Sequence, residues 1–191
     1  MTPKRTFDIL FSSIALTVLA PILVGVATAI LLSSKGTVIY RQKRLGKNRK
    51  PFNIYKFRTM VMDAEKSGPQ LAVVNDARIT KVGKFLRKYH IDEFTQFWNV
   101  LKGDMSVVGP RPEREIFVNE IEKILPEYSK VFEVKPGLTS LGMIKFGYAS
   151  NVAQMVERAK FDLEYLENRN SGRDAKILLN TVPAIFKGKG L

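Results

Sequence analysis

The chain has no cysteine and a single histidine in 191 residues. Disulfides and thiolate metal sites are thereby excluded, and a histidine-based zinc site has too few ligands to form. Any metal would have to be a hard cation held by oxygen. Internal repeats and low-complexity linkers are also missing, and the length suits one domain of ordinary size with an appended membrane segment rather than two independent cores. Acids are scarce: 18 Asp and Glu stand against 31 Lys and Arg, a formal charge of +13. Such a surface attracts nucleic acid, anionic lipid or phosphorylated substrates, and charge alone does not choose among them.

Charge is absent altogether from Ile9 to Ser34, a run long enough to cover the roughly 20 residues that cross a bilayer core. It is too long for the apolar core of a cleaved signal peptide, and no convincing cleavage site follows. Pro21 removes a backbone hydrogen bond near its middle and should kink the helix. Lys4 and Arg5 precede the run, and Lys35, Arg41, Lys43 and Arg44 follow it, so the positive-inside rule pulls both ends to one side. A bent helix that enters one leaflet and returns satisfies both pulls; a plain kinked transmembrane anchor is the alternative.

Between Arg41 and Arg58 there are eight Lys or Arg and no acid. Alternation in Thr37–Tyr40 and Phe52–Tyr55 suggests two short strands joined by a turn in RLGKNRKP, which makes a β-hairpin. A basic loop lying on anionic headgroups explains some of these lysines without any site. From Asp76 the pattern turns helical, with Phe85, Leu86, Tyr89, Phe94, Phe97, Trp98 and Leu101 at three- and four-residue steps, an amphipathic face suited to a core or to the membrane interface. The Gly109-Pro110-Arg111-Pro112 run ends that helix in a rigid loop. Further helices are expected near 114–125, 151–168 and 175–186, with a Lys135-Pro136-Gly137 turn between the first two.

Asp92 and Glu93 are adjacent carboxylates in a strongly basic stretch. A carboxylate can attack phosphorus to form an acyl phosphate, and its neighbour can hold Mg²⁺ against phosphate oxygens. Phosphoryl transfer needs little beyond alignment and positive charge, which Arg87 and the Arg41–Arg58 stretch offer. Taken alone, an Asp-Glu pair on a helix is more often an exposed charged patch.

Several segments together resemble a known family. Lys4-Arg5 with Phe7-Asp8, YRQKRLGKNRKPFNIYKFRTM from Tyr40, DARITKVGKFLRKYHIDEFTQFWNVLKGDMSVVGPRPE from Asp76, and KPGLTS from Lys135 are similar to the small monotopic phosphoglycosyl transferases of bacteria. The resemblance covers nearly the whole chain. It implies an α-rich α+β fold: one compact domain with an N-terminal kinked re-entrant membrane helix over 1–36, amphipathic interfacial helices and a short β-hairpin. Residues 37–191 would form the catalytic domain, continuous with that helix, on the cytoplasmic face of the bacterial inner membrane.

The resemblance further implies transfer of a sugar-1-phosphate from a UDP-sugar to polyprenol phosphate, with UMP released. Asp92 would carry the covalent phosphosugar, and Glu93 would support Mg²⁺. Arg111, between Pro110 and Pro112, would sit near the nucleotide, and Lys56, Arg58 and Arg87 would supply positive charge to the diphosphate. Partners would be the lipid bilayer and downstream glycosyltransferases, with no nucleic acid. Departures from the family pattern are Ala20 in place of the usual serine before Pro21, His90, Phe94 and Thr95 around the dyad, and the run Ser140–Phe146. A membrane-bound nucleotide-sugar diphosphatase and a basic membrane adaptor are the competing readings; the first would yield free sugar phosphate, the second strongly salt-dependent binding indifferent to Glu93.

Overall fold

In the computed structural model, which describes residues 2–66, 68–73 and 76–186, the charge-free stretch forms most of α1 (Pro3–Ser33). The Thr2 side chain caps its start by accepting from the Arg5 N–H at 3.4 Å, and Pro3 occupies the first turn, where a missing N–H costs nothing. The helix continues through Pro21. It is long and apolar enough to cross a membrane, and most of its apolar side chains face outward: Ile14, Val18 and Leu32 are 63%, 67% and 84% exposed.

β1 (Ile39–Leu45) and β2 (Pro51–Phe57) pair antiparallel, with Gln42 opposite Ile54. The expected hairpin is present, but β1 extends through Leu45 into what reads as turn. Its alternation is hidden because both faces are polar: Arg41 and Lys43 are exposed, while Gln42 and Arg44 turn towards the protein. Asn48 and Arg49, both at positive φ, make the tight 3₁₀ connection Lys47–Arg49.

After a bridge between Met60 and Ile79, α2 (Lys81–Lys88) begins at Thr80, whose hydroxyl accepts from the Gly83 N–H at 2.9 Å. Gly83 has no substitute here, since a Cβ would lie 2.0 Å from the Thr59 carbonyl oxygen. The single amphipathic helix expected through Leu101 is corrected. His90 takes a left-handed conformation (φ 56°), a 3₁₀ turn runs from Ile91 to Gln96, and α3 follows (Phe97–Lys102). The apolar spacing fits either arrangement. What decides is that Asp92, Glu93 and Gln96 are buried, so the turn is held by polar contacts across to β2 that no periodicity records.

β3 (Ser106–Val108) lies parallel to β4 (Gly137–Thr139), a pairing the sequence conceals because three residues show no alternation. The expected glycine turn at 137 is thus the first residue of β4. α4 (Glu115–Ile124), α5 (Leu141–Lys145), α6 (Val152–Glu167) and α7 (Ser171–Phe186) complete the chain, so the three later helices fall where expected, α7 starting earlier. The helix-rich fold with small sheets therefore stands. Leu45, Val118, Ile121 and Met155 pack between the hairpin, α4 and α6. Ile54, Val100, Met105, Val107 and Ile177 fill the space beneath β3 and α7.

Both ends of α1 are fixed to this one body. At the start, Lys4 Nζ donates to the Val108 carbonyl at 3.0 Å, and the Arg5 guanidinium donates to the Val100 and Leu101 carbonyls at 2.5 and 2.8 Å. Buried Asp8 accepts from the Val107 N–H at 2.9 Å and the Ser106 hydroxyl at 3.0 Å. At the far end, Ile30 is buried with Phe57 and Leu86, an arrangement worth about 1.5–3 kcal/mol per side chain.

Candidate active site

Three polar ties position the dyad-bearing turn against β2. The Thr95 hydroxyl donates to the Tyr55 carbonyl at 2.8 Å, and fully buried Asn99 accepts from the Tyr55 N–H at 3.1 Å and donates to the Asn53 carbonyl at 2.7 Å. These bonds fix the strand just ahead of Lys56, whose side chain reaches the dyad. Lys56 Nζ lies 2.6 Å from Glu93 Oε1, and Arg111 Nη2 donates to the same oxygen at 2.9 Å.

Arg111 is held from behind as well. Its N–H donates to Asp162 Oδ2 at 3.0 Å, while Asp162 Oδ1 accepts from the Gly142 N–H at 2.9 Å. The flanking prolines are buried; the Pro110 carbonyl accepts from the Gly137 N–H at 2.8 Å, and the Pro112 carbonyl accepts from Arg44 at 3.1 Å. Their fixed φ and missing donors leave the loop one shape, aimed at Glu93. Glu113 then joins Arg158 at 2.6 Å and Arg44 at 3.0 Å.

These groups line or border a cavity of about 350 Å³, whose walls include Lys56, Arg87, Asp92, Arg111, Arg158 and Tyr148. Asp92 is 5% exposed, and its Oδ1 has no hydrogen-bond partner among the described residues. Burial pushes the Asp92 carboxyl above its ordinary range, against the pull of Lys56, and Glu93 adds to the rise. Burial acts on Glu93 in the same sense, but Arg111 and Lys56 outweigh it and hold that carboxyl well below its ordinary range. Two neighbouring carboxyls are thus driven apart: one firmly charged and doubly paired, the other under-solvated in the cavity wall. Burial lowers Lys56 despite Glu93. For Arg111 burial acts downward too, yet Glu93 and its other neighbours hold it above its ordinary range.

The structure brings Lys56, Arg87, Asp92, Glu93, Pro110, Arg111 and Pro112 together as the sequence suggests. Arg87 makes no side-chain hydrogen bond among the described residues and borders the same space. Arg58 also reaches the cavity wall, but its guanidinium donates to the Lys35 and Ser34 carbonyls at 2.5 and 2.9 Å, closing the end of α1. Sequence reasoning passes over Glu113, Arg158 and Asp162. The signal for the last two is present: Arg158 and Asp162 lie four residues apart on the face of α6 that also buries Met155 and Ala159. Charges on an apolar helix face are expensive unless they are paired, and here they are.

Residues 1–188 match the family model described as bacterial sugar transferase. A UDP-N-acetylgalactosamine-undecaprenyl-phosphate N-acetylgalactosaminephosphotransferase of Aeromonas hydrophila is 40% identical over 187 residues, covering 98% of this chain and 44% of the relative. A UDP-glucose:undecaprenyl-phosphate glucose-1-phosphate transferase of Klebsiella pneumoniae is 42% identical over 190 residues, 98% of this chain and 40% of the relative. The chain thus spans about two fifths of the length of these two proteins. The exopolysaccharide production protein PSS of Rhizobium leguminosarum bv. phaseoli is matched end to end, at 41% identity over 195 residues covering 98% of this chain and 97% of the relative. With a family model matched over nearly its full length, the chain belongs to the bacterial sugar transferase family.

Proposed function

We propose that the chain transfers a sugar-1-phosphate from a UDP-sugar to polyprenol phosphate, at an early membrane step of bacterial polysaccharide or glycoconjugate synthesis. The observation that carries this reading is Asp92 itself, a buried carboxylate with an orphaned Oδ1 in the wall of a cation-lined cavity. An Asp92 oxygen bonds to the sugar-bearing phosphorus. The bond from that phosphorus to the bridging oxygen breaks, and its electron pair departs on UMP. A phosphate oxygen of the polyprenol phosphate then attacks the same phosphorus, displaces the carboxylate and completes the lipid diphosphate. Lys56, Arg87 and Arg111 neutralise charge on the transferring group, and Arg111 suits paired phosphate oxygens by its planar fork.

The donor set fits Mg²⁺. Both cations on Glu93 fall on Oε1, so Oε2 is the oxygen for a divalent ion, with substrate phosphates and waters supplying the rest. Bound there, Mg²⁺ would offset charge on the diphosphate oxygens. Among the described residues no three acidic or histidine side chains cluster to hold a metal alone.

A re-entrant α1 belongs to the same reading. At about 1.5 Å per residue its 31 residues would run roughly 46 Å if straight, well beyond the ~30 Å hydrocarbon core. Asp8 at one end and Ile30 at the other pack on the same domain, and one domain cannot face both sides of a bilayer. In this reading the helix dips into the leaflet and returns, bent at Pro21, with the catalytic domain on the cytoplasmic face of the inner membrane. Downstream glycosyltransferases would then take up the lipid-linked product.

The test is Asp92→Asn in membranes supplied with labelled UDP-sugar. Organic-extractable label and UMP release should vanish, and intact-protein mass should show a phosphosugar adduct on the unmodified chain when the lipid acceptor is withheld. Full activity in the variant would remove Asp92 as nucleophile. Free sugar phosphate in place of lipid diphosphate would indicate a hydrolase.

A further inference from the structure

Two positions where the sequence departs from its family pattern, or adjoins such a departure, meet beside the dyad. His90 is the left-handed residue that ends α2 and opens the catalytic turn. Tyr148 follows the divergent run after β4 and lines the cavity. Their rings lie nearly parallel, at 9° with centroids 5.4 Å apart, and the Tyr148 hydroxyl is hydrogen-bonded to His90 Nδ1 at 3.1 Å. The Tyr148 ring also underlies the Arg111 guanidinium, with 5.7 Å from its central carbon to the ring centroid. Arg111 in turn holds Glu93. The contacts close a ring: His90 to Tyr148, Tyr148 to Arg111, Arg111 to Glu93, and Glu93 back to His90 along three residues of backbone.

The ring restrains Arg111 at two points. Glu93 takes Nη2 of the guanidinium, and the Tyr148 ring lies against its central carbon. Among the described residues Nη1 makes no hydrogen bond, so the fork stays oriented with a donor free for phosphate. A left-handed non-glycine residue costs about 1–2 kcal/mol, and persists where its surroundings over-determine it. The bond to Tyr148 is such a surrounding.

We propose that His90 and Tyr148 are a positioning pair that sets the Arg111 guanidinium and the dyad turn for the transition state, without serving as reacting groups themselves. This rests on the transferase reading above.

UMP release by the full chain in detergent or nanodiscs, at varied UDP-sugar with fixed polyprenol phosphate, tests it with Tyr148→Phe, His90→Asn and the double variant. Phenylalanine keeps the ring and loses only the hydroxyl; asparagine keeps tolerance for the left-handed backbone. Each single variant should lower kcat about tenfold with KM for UDP-sugar changed by less than about twofold, the signature of an interaction realised only in the transition state. The double variant should fall no more than about twofold below either single, because both break one linkage. Thermal midpoints should stay within a few degrees of the unmodified chain. An unchanged kcat in Tyr148→Phe, a loss carried by KM alone, or losses that multiply in the double variant would each overturn the pair. Absence of UMP release from the unmodified chain with every UDP-sugar tried would instead sink the transferase reading, and the pair with it.

Discussion

At the scale of single residues, the site separates two carboxylates that sequence presents as equivalents. Glu93 holds two cations on one oxygen, whereas Asp92 keeps an oxygen without a partner among the described residues. Removing Arg111 would therefore do more than lose a substrate contact, because it also strips Glu93 of half its compensation. Arg111→Lys keeps the charge but not the fork that touches Glu93 and leaves a donor for phosphate. Its kcat/KM should drop on the order of 10²-fold, against 10³-fold or more for Asp92→Asn. Steady-state UMP release by both variants checks the order. Asp92→Asn should also unfold no earlier than the unmodified chain, since it removes a buried charge that lacks a direct partner; a lowered melting midpoint would speak against that account of Asp92.

At the scale of elements, the site depends on close approaches that tolerate no extra atom. Gly83 lets α2 rest on the Thr59 carbonyl, and α2 delivers Arg87 and the start of the dyad turn. Gly83→Ala should cost about 1–3 kcal/mol of stability through overpacking, read as a lower thermal midpoint, with activity falling in parallel. Asn99→Ala leaves the Tyr55 N–H and Asn53 carbonyl without their shared partner, and should destabilise by about 1–3 kcal/mol while loosening Lys56 from the dyad. These elements also show what a sequence can reveal. The apolar run, the hairpin and the three later helices are legible because each repeats a pattern over many residues. The break at His90 is not, since a left-handed residue leaves no mark on hydrophobic spacing. β3 and β4 are too short for alternation and pair across the 28 positions between Val108 and Gly137. Asp92, Glu93, Lys56 and Arg111 are singled out by family resemblance, and the fold brings them together. The Glu113–Arg158 and Asp162–Arg111 ties need the fold, because their partners lie far apart in the chain.

At the scale of the whole molecule, the polar anchors of α1 act as structure. Lys4, Arg5 and Asp8 bind backbone groups of the segment between Val100 and Val108, so the start of the helix is part of the catalytic body. The native chain lacks cysteine, which permits a direct topology measurement. Single cysteines at Thr2 and Lys35 should both react with an impermeant maleimide in inverted inner-membrane vesicles, and neither should react in intact spheroplasts. Labelling from opposite sides would establish a spanning helix instead.

With α1 re-entrant, gripping it by both feet would make the height of Asp92 above the hydrocarbon a constant of the fold, beyond the reach of tilting or bobbing. A prenyl-phosphate acceptor would then be chosen by where its phosphate floats, whatever number of isoprene units trails beneath. A shortened prenyl phosphate that still partitions into the leaflet should serve as well as a long one.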